Sequence, residues 1–176
     1  MKTISILGWR HDHMKYELEN IEQLAEKLAL LGHPIYTGAG GGFMYYANRG
    51  TYKKNPSLSF GYYLPDFDDE LDNSVIPHEN IIVCDTYQQR KQLLIEKNIL
   101  IFCPGGLGTI NEFSEAITMK RMGIINPIII CFHKDFWLGF AKGCSSSHRE
   151  MKYPYETINL ITDNIQDIYQ FIQKYN

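Results

Sequence analysis

No run in the 176 residues approaches the ~18 consecutive apolar residues that a membrane-spanning helix needs. No export leader is legible either: the apolar run after Met1-Lys2 is short, and Arg10, His11 and Asp12 end it. Cysteine is scarce. Cys84, Cys103, Cys131 and Cys144 form no Cys-x-x-Cys pair, and three of them sit in or at the end of apolar runs. That pattern points to buried thiols in a reducing compartment, and away from a zinc site or a disulfide framework. Excess positive charge is also missing, with 17 Lys and Arg against 20 Asp and Glu, a net charge of -3. A nonspecific nucleic-acid binder, which depends on Lys and Arg, is thereby disfavoured, although a local basic pocket is not. The chain has no internal repeat and no low-complexity tract. The expectation is a soluble cytoplasmic protein with neither a membrane nor a nucleic-acid partner.

What is present is an ordinary globular composition, 44% hydrophobic and 21% charged, and a length that buries one sizeable core. Residues 1–176 are therefore read as a single domain. Candidate strands lie at 3–7, 34–37, 58–63, 80–84, 99–103, 127–132 and 157–161, several of them continuously apolar. Continuous runs suit strands covered on both faces, as in a parallel sheet. Between them run amphipathic stretches: Leu18, Ile21, Ala25, Leu28 and Leu31 recur at helical spacing, as do Ile165, Ile168, Tyr169 and Ile172 near the end. Asp163 reads as the N-cap of that last helix, with Gln166 at the capping-box position. Strand–helix alternation throughout predicts a Rossmann-like, doubly wound α/β fold: a mainly parallel sheet of about seven strands, helices on both faces, ligands at the strands' carboxyl ends.

Two stretches look irregular, 65–77 with five acidic residues and 143–154 with Ser, His and charge. The acids lack a metal-ligand pattern and read as a solvated loop.

Chemistry concentrates in three places. The apolar run 99–103 leads straight into Pro104-Gly105-Gly106-Leu107-Gly108-Thr109, followed by Phe113, Ala116 and Ile117 at helical spacing. A strand, a glycine turn and a helix start make an anion site, because first-turn N–H groups lack intrahelical partners and the helix dipole adds positive charge. Glycines admit the phosphate to the backbone, and the Thr109 hydroxyl can donate as well. A second turn, Gly38-Ala39-Gly40-Gly41-Gly42, also joins a strand to a helix, and it has no P-loop lysine. It reads either as close packing or as a second contact, through Gly40, Gly41 and Gly42, at the same edge. Third, Arg90 and Lys91 begin a helix near that edge, offering a planar fork and a mobile point charge.

These residues resemble the Lonely Guy (LOG) family. Pro104-Gly105-Gly106-Leu107-Gly108-Thr109-Ile110-Asn111-Glu112 matches its PGGxGTxxE motif, and Arg90-Lys91 stands where the family carries its Arg-Lys pair. Gly40-Gly41-Gly42-Phe43-Met44 looks like a shortened GGG…GLMG turn; Asn126-Pro127 and Phe136-Trp137 also fall in register. The likeness spans roughly residues 1–175 and speaks for the fold family more than for the reaction. It implies a homodimeric nucleoside 5′-monophosphate phosphoribohydrolase releasing a free base (cytokinin type or adenine) and ribose 5-phosphate. Phosphate would lie on Gly105 to Thr109, Arg90 and Glu112 would be the catalytic pair, and no metal or other cofactor would be needed.

Cleaving an N-glycosidic bond passes through an oxocarbenium-like centre that a carboxylate stabilises, and Glu112, three residues after Thr109, is placed to reach it. An ordinary capping-box acid is the plain alternative. Several residues depart from the family pattern. Gly8-Trp9-Arg10-His11-Asp12-His13 replaces a small-residue turn, Tyr87 replaces a Met, Asn111 replaces an acid, and Tyr45-Tyr46-Ala47-Asn48-Arg49 replaces small residues. His11 and His13 lack a nearby third ligand for a metal. Trp9, Arg10, Tyr45 and Tyr46 could stack on a larger ligand. They motivate the competing reading, a non-catalytic nucleotide- or cofactor-binding carrier or sensor similar to molybdenum-cofactor carriers. A nucleoside deoxyribosyltransferase is a third option.

Overall fold

Strands that are apolar on both faces need helices on both sides, and this chain supplies them. The structure, a computed structural model, describes residues 1–65, 73–145 and 156–175. The acidic loop and the Ser- and His-rich stretch fall largely on 66–72 and 146–155, outside the described residues. The strands are β1 (Ile4–Leu7), β2 (Ile35–Thr37), β3 (Ser59–Tyr63), β4 (Ile81–Val83), β5 (Ile99–Phe102), β6 (Ile128–Phe132) and β7 (Leu160–Thr162). The described helices are α1 (Lys15–Leu30), α2 (Phe43–Lys54), α3 (Tyr87–Ile95), α4 (Leu107–Arg121), α5 (Lys134–Ser145) and α6 (Ile165–Gln173). All seven strands join one sheet in the order β4-β3-β2-β1-β5-β6-β7, and every pairing is parallel. The Rossmann-like reading is therefore correct. No helix among the described residues is long and apolar enough to cross a membrane.

The pleat divides the core. Ile4, Ile6, Ile99 and Ile101 point to one face, packed by Leu18, Ile21, Leu24 and Leu28 of α1, Phe43 of α2, and Ile168 and Ile172 of α6. Leu7, Leu100 and Phe102 point to the other, against Leu94 and Ile95 of α3, Phe113 and Ala116 of α4, and Trp137 of α5. The central strands β1 and β5 are buried at every position, which is why they read as unbroken apolar runs. Cys84, Cys103 and Cys131 are free and buried, as the apolar surroundings of their positions imply.

Side-chain competition sets two boundaries differently from the sequence pattern. The last strand begins at Leu160, because the Asn159 side chain takes the N–H of Ile129 (2.8 Å) that a longer ladder would use. The α6 N-cap is Asn164, whose side chain accepts from Gln166 N (2.8 Å). Asp163 instead accepts from Lys134 N (2.7 Å), at the start of α5. The Tyr45–Arg49 stretch ties α2 to α1: Arg49 and Lys53 pair with the buried carboxylate of Glu22, and the Arg49 guanidinium lies 4.2 Å from the Tyr46 ring. Burial alone would raise the Glu22 pKa, but the hydrogen bonds from Arg49 and Lys53 outweigh it and hold the group below its ordinary value.

A polar junction fixes β2 and β3 beneath α2. Asn48 is 1% exposed, accepts from the Thr37 hydroxyl, and donates to Ser59 Oγ (2.9 Å) and Phe60 O (3.1 Å). Asn48→Leu strands those partners in the core and should cost about 3 kcal/mol. The expected readout is a lower urea midpoint at unchanged slope.

Candidate functional site

In a sheet of this order the chain winds outward from β1 to β4, then returns to place β5 on the other side of β1. The loops leaving β1 and β5 therefore part at the carboxyl edge, which opens a crevice there. A cavity of about 260 Å³ occupies it. Gly8, Trp9 and Arg10 form one wall, Gly106 to Thr109 and Glu112 another, and Met44, Tyr87 and Arg90 close it from α2 and α3.

The glycine turn after β5 serves three different needs. A Cβ on Gly105 would stand 2.2 Å from Thr109 Oγ1, so this glycine lets the threonine fold back over the turn. Gly106 is the α4 N-cap and has no side chain to satisfy the first N–H groups. The first intrahelical bond is Ile110 N to Gly106 O (3.0 Å), which leaves the N–H groups of Leu107, Gly108 and Thr109 before it. A Cβ on Gly106 or Gly108 would meet nothing within 4 Å, so those two glycines keep space open rather than relieve a contact. Pro104 and Gly105 are buried behind the turn, while Leu107 is 89% exposed at its tip.

Glu112 is the sixth residue of α4, where Thr109 holds the N3 position, so it is not a capping-box acid. Gly108 lies four residues before it and Thr109 three, which puts all three on one helix face. Glu112 is 7% exposed, and burial pushes its pKa up to about 7 against the pull of Arg90 and Lys91. No hydrogen bond among the described residues holds its carboxyl.

Arg90 is held by main chain. Its Nε donates to Tyr62 O (2.9 Å) and its Nη2 to Gly38 O (2.8 Å), bridging the ends of β2 and β3. Gly38 permits this, because a Cβ there would lie 1.8 Å from Arg90 Nη2. Two of the five guanidinium donors' roles are thus fixed, and the group still borders the cavity.

Four expected ligand contacts, Lys91, Gly40, Gly41 and Gly42, lie away from this cavity. Lys91 is buried, donates to Asn111 Oδ1 (3.0 Å) and pairs with Glu115, so it fastens α3 to α4 rather than facing the cavity. An asparagine at 111 accepts that ammonium without adding charge. Gly41 and Gly42 pack against the β1 loop: Cβ atoms there would lie 2.7 Å from Arg10 O and 2.1 Å from Trp9 O. The α2 N-terminus is also taken, since Phe43 N donates to Trp9 O (3.0 Å). Gly40 borders only a minor void of about 30 Å³ beside Gly38 and Arg90. Tyr46 packs against the core of α1 and α2, and Tyr45 against Ala39, Val75 and Ile76. Gly8, Met44 and Tyr87, which stood in the sequence only within departures from the family pattern or the shortened glycine turn, line the cavity as well.

The parts assembled here are those of a parallel α/β protein with an open helix start at the switch point of its sheet. The chain belongs to the SLOG cluster4 family, whose sequence profile matches residues 1–152. The match is to this SLOG cluster and not to the LOG family specifically. Similar solved structures include the molybdenum cofactor binding protein from the phototrophic bacterium Rippkaea orientalis, at 18% identity and TM-score 0.70, covering 99% of this chain and 96% of that one. The molybdenum cofactor carrier protein from Chlamydomonas reinhardtii aligns at 16% identity and TM-score 0.70, covering 99% and 98%. DNA processing protein A from Helicobacter pylori, described with a single-stranded DNA binding mode, aligns at 15% and 0.64, covering 98% and 80%. At such identities the likeness establishes the fold. No curated protein matches the chain.

Gly108→Ala separates folding from binding. The methyl group meets no protein atom, and alanine should stabilise the helix start by up to about 1 kcal/mol. It should also take ligand space, so thermal stability is expected to hold or rise while phosphate-ligand affinity falls by calorimetry. For Glu112 the raised pKa carries a sign. Its neutral form contributes stability that is complete below pH 4.5 and is lost as pH rises towards and through about 7. Glu112→Gln should therefore match wild type near pH 4.5 and exceed it at pH 8 by up to about 3 kcal/mol. Urea melts across that range measure it.

Proposed function

We propose that this protein binds a phosphate-bearing nucleotide or nucleotide-like cofactor and acts as its carrier or sensor. The observation that carries the reading is the start of α4. Its first N–H groups precede the intrahelical ladder, and Gly106 and Gly108 leave open space over them at the switch-point cavity. Support also comes from the structural neighbours, two of which are named for binding or carrying the molybdenum cofactor. The wall of Trp9 and Arg10, unlike the small-residue turn of LOG proteins, suits a binder with its own ligand preference.

A second reading is the LOG activity, hydrolysis of a nucleoside 5′-monophosphate to free base and ribose 5-phosphate by a homodimer. Glu112 favours it: a buried carboxyl with a pKa of about 7, facing the same cavity as Arg90, is tuned for proton transfer near neutral pH.

One experiment weighs both readings. The protein is incubated with AMP and with N6-isopentenyl-AMP, free base is followed by chromatography, and thermal stabilisation by each nucleotide is recorded. The carrier reading expects saturable stabilisation, about 2.7 kcal/mol at a hundredfold excess over Kd, with the nucleotide recovered intact. Free base that disappears in Glu112→Gln would replace it with the hydrolase. Neither stabilisation nor product would overturn both.

A further inference from the structure

The cavity is chemically two-sided. On the α4 side it offers the helix start, the Thr109 hydroxyl and the Glu112 carboxyl. On the other it is bordered by Trp9 and Met44. A ligand that used only the first side would leave the second against water.

Trp9 is unusual in its fixing. Its side chain belongs to neither main core cluster and is 39% exposed, whereas Trp137 is buried at 1%. Its backbone, however, is fastened twice. Trp9 N donates to Pro104 O (2.8 Å), and Trp9 O accepts from Phe43 N (3.0 Å). The first bond ties it to the residue that opens the phosphate turn; the second ties it to α2. Gly41 and Gly42 lack side chains at the points where α2 presses on this loop. The imidazoles of His11 and His13 are steeply inclined to the indole, with ring centres at 6.0 Å and 67° and at 6.2 Å and 89°, and stack on each other at 5.6 Å. A large aromatic group is thus held at a set position from the helix start, with part of its surface bare. Nothing in the core accounts for it.

We infer that Trp9 is a stacking platform for a planar heteroaromatic ring carried by the same ligand whose phosphate sits on Gly106 to Thr109. The inference rests on the phosphate-binding reading of α4. Exposed aromatic faces recognise rings in this way, and Met44 adds a polarisable contact from α2. The size of the cavity narrows the class. At about 260 Å³ it lies just below the common range of ~300–1,000 Å³ for small-molecule sites, room for a ligand of mononucleotide size.

The test compares ligands with and without the ring. Carbocyclic AMP, whose ring–C1′ bond resists hydrolysis, and ribose 5-phosphate are titrated into the wild-type protein by calorimetry and by indole fluorescence. Carbocyclic AMP is expected to bind about five- to a hundredfold more tightly, and to change the emission of the exposed tryptophan. Trp9→Ala should bring the two affinities within about twofold of each other, with ribose 5-phosphate binding unchanged. Trp9→Phe, which keeps a ring, should retain most of the preference. Thermal melts show whether each variant is folded. Equal affinities in the wild type would overturn the inference while leaving the phosphate site standing. Loss of ribose 5-phosphate binding in folded Trp9→Ala would make Trp9 a support of the turn instead. If neither ligand binds the wild type, the phosphate reading falls, and this one with it.

Discussion

The site depends on the pairing of β1 with β5. Their register, Ile4 with Ile99 through Leu7 with Phe102, brings both strands to an end together, so the next residue of each chain leaves at the same level. Gly8 and Cys103 then lie so close that a Cβ on Gly8 would stand 2.8 Å from the cysteine Cβ. The two loops cannot continue side by side from that point. One turns under α2 and the other turns into α4, and the gap between them is the cavity. Extended pairing would close the gap. An earlier divergence would leave the Trp9 N–H to Pro104 O bond unmade.

Two helices begin beside this gap after glycine clusters, and they are used in opposite ways. At α2 the N-terminal partial charge is met by the Trp9 carbonyl, an internal anion-like partner supplied by the neighbouring loop. Gly41 and Gly42 are there because that carbonyl and its neighbour come too close for a side chain. At α4 no such partner is found among the described residues, and Gly106 and Gly108 leave space instead of making contact. The same residue type thus serves packing at one helix and access at the other. The charge pattern follows: Lys91, which could have served a ligand, is consumed by Asn111 and Glu115, while Arg90 is steadied by two carbonyls and still borders the cavity.

Much of this was legible in the residues, and the limits are physical. Unbroken apolar runs announced a parallel sheet because β1 and β5 are covered on both faces. The strand–glycine–helix order at Pro104 to Thr109 announced a helix start with open backbone N–H groups because those donors are local. What depended on partners distant in sequence was not legible. Lys91 and Arg90 are adjacent and equally charged, yet one faces α4 and the other the ends of β2 and β3. Asn159, 30 residues from Ile129, displaces the start of β7 by taking a hydrogen bond that strand propensity assigns to the ladder. Gly41 and Gly42 allow either close packing or a ligand contact by sequence, and the Trp9 and Arg10 carbonyls lie too close to them for a side chain. In each case the local pattern allowed two outcomes, and a tertiary neighbour chose between them.

The ionisation of Glu112 links these choices to function. A carboxyl beneath a helix start gains from the dipole when charged, but here burial outweighs that gain and the pull of Arg90, raising the pKa to about 7. A phosphate dianion on Gly106 to Thr109 would raise it further, because like charges at short range disfavour ionisation. With ligand bound, the neutral acid should prevail, and it would donate a hydrogen bond where a carboxylate could only accept. Glu112 lies one turn below Thr109, so on the proposed reading it would meet ligand atoms next to the phosphate, and Trp9 the far end. A neutral acid at the sugar holds a hydroxyl; to steady a cation at C1′ it would first have to lose its proton to solvent or to the ligand. Ligand binding should then take up a proton near neutral pH.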